Sequence, residues 1–231
     1  MLHRSEEAFV LSKRRFKFSK LGMGKYISHL DLLRTFTRAI HRAGLPVRYS
    51  QGFNPHQLIT FSLPLPIGVT SETEFVDIDF EDTVSDDEII TALNRNLPPD
   101  IKILSASVPE CKANDICAAE YIVKITAAGD ISAEKITEFF EKENIPAVKK
   151  TKKGEKEVNL RDFIQKHEIT AAKSGKTAIN LTLSAGGAAN IKPEIVISKL
   201  EEFLNDGEFE SVDIHRTQIF YTKDGEIKNF C

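Results

Sequence analysis

RRFKFSK at residues 14–20, LGMGK at 21–25 and SHLDLLRTFTRAIHRAG at 28–44 decide the fold, because the hydrophobic period changes across them. Phe16 and Phe18 alternate with Arg15, Lys17 and Ser19, and a period of two predicts a strand. Leu30, Leu33, Phe36 and Ile40 then recur at spacings of three and four, which predicts a helix running through Ala43. Ser28 and Asp31 form a capping-box pattern at its start, and Gly44 with Pro46 marks its end. Gly22 and Gly24 break the chain between the two elements.

Working outward, Val47–Phe53 and Leu58–Leu63 read as extended, and Phe75–Phe80 alternates as a strand beyond the rigid Pro64–Gly68 segment. Ser85 and Glu88 cap a second helix through Ile89, Ile90, Leu93 and Leu97, stopped by Pro98-Pro99, and Ile101–Val108 closes the unit as a strand. Strand, helix, two or three strands, helix and strand make one ferredoxin-like βαββαβ unit. The second half repeats the plan. Its strand is Glu120–Thr126, its helix is capped by Ser132, and Ala147–Leu160 reads as a hairpin turning near Gly154. Ala178–Leu183, a helix opened by Pro193 and the strand Val212–Tyr221 complete it, with Arg161–Lys173 open to a short helix or a strand insertion. The expectation is an α+β protein of two tandem ferredoxin-like units with antiparallel sheets, residues 1–112 and 118–231.

The 231 residues are 41% hydrophobic and 28% charged, enough to bury real cores, so wholesale disorder is excluded. No apolar run approaches membrane-spanning length and no signal peptide is evident, so a cytoplasmic protein is expected. Cys111, Cys117 and Cys231 are too few and too uneven for a disulfide framework or a metal-binding spacing, and are expected to be structural thiols. No cofactor and no metal site are expected. His29, Asp31 and His56 are possible ligands only if the 51–56 turn folds onto the helix start, and no spacing enforces that.

A net charge of −3 conceals an asymmetry. Residues 1–60 carry eleven Lys or Arg against three Asp or Glu, net +8, while residues 71–120 carry three against thirteen, net −10. On a helical wheel Asp31, Arg34, Arg38, His41 and Arg42 share one arc opposite Leu33, Phe36 and Ile40. Lys25, Arg34, Arg38, Arg42 and Arg48 are candidates for phosphate contacts, Tyr49 and Phe53 for base stacking, and Asn54 and His56 for the exposed turn Gln51–His56. An amphipathic helix must also expose some polar face, so a solvated stripe is the competing reading. His56 and His29 are the candidate catalytic residues, as general bases toward a ribose hydroxyl, though His29 lies on the apolar side of the wheel, where packing explains it equally. Gly22-Met23-Gly24-Lys25 and Ser184–Gly187 are read as tight turns or phosphate cradles, and the first is not a Walker A motif. Five lysines, Lys149, Lys150, Lys152, Lys153 and Lys156, crowd the second-half hairpin as another polyanion contact or as protection of a strand edge.

Lys25–Asp31, Arg34, Arg38, Ala43–Pro46, Tyr49–His56 and Leu63–Val69 together resemble the radical SAM-linked protein family. The resemblance is dense over about residues 14–80 and weaker near Asp162 and at His215-Arg216-Thr217. The family is similar to a bacterial domain of unknown function found beside, or fused to, radical SAM proteins. It implies a radical SAM partner, whereas this chain lacks a Cys-x3-Cys-x2-Cys cluster motif. Gln57 departs from the second proline that more often follows the histidine. The function expected is a non-catalytic accessory module that binds RNA, tRNA or ribosomal RNA, or another anionic substrate, and presents it to that enzyme. An endoribonuclease with paired ferredoxin-like domains and a protein-binding structural module are the alternatives.

Overall fold

A computed structural model describes residues 13–81, 84–129, 131–151, 154–173, 175–204 and 209–231. His3, Lys152 and Lys153 lie outside these. The chain divides into two compact units, one running to Asn114 and taking in Cys231, the other Asp115–Phe230. Both are α+β with antiparallel strands, and four α-helices are present among the described residues.

The first unit runs β1 (Lys13–Lys20), α1 (His29–Ala43), β2 (Ile59–Phe61), β3 (Val69–Asp79), α2 (Asp86–Asn96) and β4 (Ile101–Ser107). Its strands lie in the order β4-β1-β3-β2, every neighbour antiparallel. Phe16 and Phe18 of β1 are fully buried, and with Val76, Ile78, Ile101 and Ile103 they receive Leu32, Phe36, Ala39 and Ile40 of α1 and Ile89 and Leu93 of α2. Phe18, Phe36 and Phe61 form a triangle of edge-to-face rings with centroids 5.3–5.9 Å apart. Such contacts add to what burial of each ring contributes.

Arg15 breaks the simple alternation, because it is buried and charged. Its guanidinium holds Asp77 with two bonds, Nε to Oδ1 at 2.7 Å and Nη2 to Oδ2 at 2.9 Å, and donates to the carbonyls of Cys111 and Cys231. Nη1 also reaches the Cys111 thiol at 3.2 Å. Burial works against the charge, but the bond and the charge of Asp77 outweigh it and hold Arg15 above its ordinary pKa.

Ser28 caps α1 by accepting from the Asp31 amide, and Gly44 ends it in the left-handed conformation at φ +64°. Ser85 and Glu88 form a full capping box on α2. The expected extended stretch at 47–53 is not a strand, and only the isolated pairings Val47 with Phe80 and Tyr49 with Gln57 flank it.

The second unit runs β5 (Ile116–Ala127), α3 (Ala133–Glu141), β6 (Pro146–Thr151), β7 (Gly154–Asn159), β8 (Ile164–Lys173), β9 (Lys176–Ser184), α4 (Pro193–Leu204), β10 (Phe209–Lys223) and β11 (Glu226–Asn229). Its main strands lie in the order β10-β5-β9-β8, again antiparallel, with β11 on β10. Within the stretch left open to a short helix or a strand, Arg161–Phe163 belongs to a short 3-10 turn and Ile164–Lys173 is strand β8 on β9, while the β6-β7 hairpin before it forms its own two-stranded sheet. Gln165-Lys166-His167-Glu168 hides β8 in the sequence, because an outer strand of this sheet needs little apolar alternation. Across the hairpin Lys149 faces Lys156, and its ammonium turns to the Asn190 carbonyl and the Phe163 ring.

Among the described residues, no helix is long and apolar enough to cross a membrane.

Candidate functional site

The first unit positions the site through two pieces of chain. Burial of Leu32, Phe36, Ala39 and Ile40 turns Arg34, Arg38, His41 and Arg42 outward, with His41 and Arg42 in the last turn, where the helix dipole favours positive charge. After Gly44 the chain doubles back. The Arg48 amide donates to the Asp79 carbonyl and the Leu58 amide to the Arg48 carbonyl, both at 2.8 Å. The Ser50 amide donates to the His56 carbonyl at 2.8 Å, closing the 51–55 loop.

A groove of about 600 Å³ lies between that loop and α1. Arg38, His41 and Arg42 come to it from the helix, with Leu33 and Thr37 beside them, and Tyr49, Pro55, His56, Gln57 and Ile59 come from the returning chain. Four of the sequence candidates therefore meet: Arg38, Arg42, Tyr49 and His56.

Their surroundings differ. Arg42 donates to the carbonyl of Asn96 at the end of α2, which fixes its direction. The His56 ring is oriented by Ser50, whose hydroxyl lies 2.8 Å from Nδ1 and accepts from the His56 amide at 3.1 Å. This leaves Nε2 as the ring nitrogen available for a ligand. Gln57 is buried, its Nε2 lies 3.4 Å from the Tyr49 hydroxyl, and its Oε1 has no hydrogen-bond partner.

Lys25, Arg34, Arg48, Phe53 and Asn54 do not line the groove. Arg34 donates to Asp31 at 2.9 Å on the open surface. The Asp31 carboxyl is held below its ordinary pKa first by the Ser28 hydroxyl and then by Arg34, so this corner of the stripe is self-compensated. The Lys25 ammonium lies over the Tyr26 ring at 5.4 Å, Arg48 is half-buried, and Phe53 and Asn54 stand exposed at the loop tip. His29 is exposed with its ring edge-on to Phe61 at 5.5 Å. Among the described residues, no group of three or more His, Cys, Asp or Glu is placed to hold a metal.

Gly22-Met23-Gly24-Lys25 lies in a 3-10 helix, Gly22–Tyr26, and Gly186 lies in a bend after β9. A Cβ on Gly22 (φ +48°) would stand 2.6 Å from an Asp100 carboxylate oxygen, and a phosphate there would meet the same negative charge. A Cβ on Gly186 (φ +104°) would stand 2.1 Å from the Ile116 carbonyl.

Sequence reasoning missed Gln57 as a site residue and treated His41 only as part of a stripe. The legible signal was the doubling back around Gly52. Once Tyr49 pairs with Gln57 across the loop, both side chains fall on one side of the returning chain.

The fold is similar to that of a chain in a Cbf5-Nop10-Gar1 complex, with TM-score 0.53 and 10% identity over 94% of this chain and 51% of that one. It is also similar to a chain of an H/ACA RNP bound to a substrate RNA containing 2'-deoxyuridine, with TM-score 0.50 and 10% identity over 96% and 50%. This chain spans about half the length of those chains, and at such identity the likeness is one of fold alone. No curated protein matches the sequence. A family model described as an uncharacterized protein conserved in bacteria matches residues 13–193, and the chain belongs to that family, DUF2344.

Proposed function

We propose that this protein is an RNA-binding accessory module whose contact surface is the groove between α1 and the 50–57 loop. The observation that carries the reading is the convergence of Arg38, His41, Arg42, Tyr49 and His56 on one groove, which supplies cations for phosphates and rings for bases. The acidic segment supports it indirectly. Its carboxylates pair with Lys13, Arg14 and Arg15 through Asp79, Asp86 and Asp77, and the groove cations take no part in those pairs. Each unit is read as a ferredoxin-like βαββαβ domain from its strand order, with the hairpin as an insertion in the second. A fold similar to that of a chain in an H/ACA RNP bound to a substrate RNA agrees with an RNA partner. A radical SAM enzyme as the recipient of that RNA rests on the sequence resemblance over residues 25–69.

The test is an electrophoretic shift of total small RNA by the purified protein. Charge reversal of Arg38 together with Arg42 abolishes the shift while circular dichroism stays native. A shift retained by that double variant removes the groove as the RNA site.

The nuclease reading keeps one favourable observation, two histidines on the same groove. It requires metal-independent cleavage on a denaturing gel that is lost in His56→Ala. Intact RNA with wild-type protein rejects it.

A further inference from the structure

We propose that the groove receives a single unpaired nucleobase, read through the carboxamide of Gln57; this rests on the RNA-binding reading above. The shape of the groove argues first. Leu33, Pro55 and Ile59 give it apolar walls, and the cations come from α1 alone. A surface that tracks a phosphate backbone needs a line of cations, whereas an apolar recess of a few hundred Å³ beside a few cations suits one flat ring with its phosphate outside.

Gln57 is the second and independent observation. It is 7% exposed and lines the groove, yet its Oε1 has no hydrogen-bond partner. An acceptor buried without a donor costs stability, so the residue is poorly explained by the free protein's own packing. The contact of its amide nitrogen, 3.4 Å to the Tyr49 hydroxyl, is at the outer limit of a hydrogen bond, so an incoming group competes only with a weak one. What the site lacks is an N–H donor. Each of the four RNA bases carries one on its pairing edge, and only an unpaired base presents it. Tyr49, 46% exposed, offers a ring face for stacking, and Arg38 is placed for the phosphate.

The experiment uses the full chain and a fluorescent oligouridine decamer. The same decamer annealed to oligoadenosine and inorganic polyphosphate serve as competitors. Wild type binds the single strand, and duplex and polyphosphate compete at least about tenfold more weakly. Gln57→Met keeps the length and removes the amide. It weakens single-strand binding about five- to tenfold, the worth of one hydrogen bond, while raising Tm by about 2 °C, because a buried unsatisfied acceptor has gone. Tyr49→Leu, at a half-exposed position, gives an independent loss of affinity without unfolding. Undiminished binding by Gln57→Met, a lowered Tm in that variant, or equal competition by polyphosphate overturns base insertion while RNA binding stands. Failure of wild type to bind any oligonucleotide overturns both.

Discussion

Arg34 and Arg38 lie one helical turn apart on α1, and they should behave differently toward RNA. Arg34 is already matched by Asp31 at 2.9 Å, on the surface, whereas Arg38 lines the groove and makes no ion pair or side-chain hydrogen bond among the described residues. For single strands, log Kobs falls with log salt at a slope of about −0.7 per phosphate neutralised. If Arg38 and Arg42 each neutralise one, the wild-type slope is about −1.4, and raising salt from about 50 to 200 mM weakens binding about sevenfold. Arg38→Gln should bring the slope to about −0.7, leaving a loss of only about 2.6-fold over the same range. Arg34→Gln should leave the slope near its wild-type value, because the cation it removes was committed to Asp31. Fluorescence anisotropy with the oligouridine decamer at four salt concentrations gives all three slopes. Equal slopes for the two variants, or an unaltered slope in Arg38→Gln, would refute the assignment of phosphate contact to the groove.

Asp77→Ala strands the buried Arg15 charge and should cost ~3–5 kcal/mol in urea unfolding. A loss under ~1 kcal/mol would mean water reaches the guanidinium. Phe36→Ala removes the fully buried corner of the Phe18-Phe36-Phe61 triangle and should cost ~3–5 kcal/mol, also read from urea midpoints. His167 stacks on Phe140 at 4.6 Å, and burial, then the Arg161 charge, lowers its pKa below the ordinary 6.5. The unfolded chain therefore takes up the proton first. The stability it contributes is complete above the unfolded pKa and is lost as pH falls through 6.5 toward the lower folded value. His167→Phe should flatten that part of a stability-versus-pH curve, and an identical curve would exclude His167 as its source.

What the sequence disclosed depended on how far each signal was local. Ser28, Gly44 and the Ser85-Glu88 box announced their helix ends, because caps act within one turn of chain. Leu30 misled the wheel. It is exposed while Leu32 is buried, since the stripe facing the sheet is set by where α1 lies on β1 and β3 rather than by hydrophobicity alone. β8 was obscured by its polar residues, and the hairpin before it carried the stronger alternation. In the site, Arg38, Arg42, Tyr49 and His56 were legible by type, since charge and aromaticity need no partner to be noticed. Gln57 was not. Its interest lies in a missing hydrogen bond, which exists only once the surrounding chain has folded around it.

The charge asymmetry resolves in the same way. A net −10 segment following a net +8 segment allows either a self-neutralising surface or a separated one, and composition has no means of choosing. The strand register chooses for part of it. β1 and β3 pair antiparallel with Lys13 opposite Asp79 and Arg15 opposite Asp77, so those charges share the face of the sheet away from Phe16 and Phe18. The helices pack on the other face, against the phenylalanines. Arg14, on the helix side, takes Asp86 from the first turn of α2. The acidic segment thus spends these carboxylates on β1, and Arg38 and Arg42 of α1 take no part in those pairs. A shift of one residue in that register would have exchanged the faces and put the β1 cations against the core. The separation of charge that makes an anionic partner plausible is therefore a consequence of the same alternation, Phe16 and Phe18 between Arg15 and Lys17, that sets the fold.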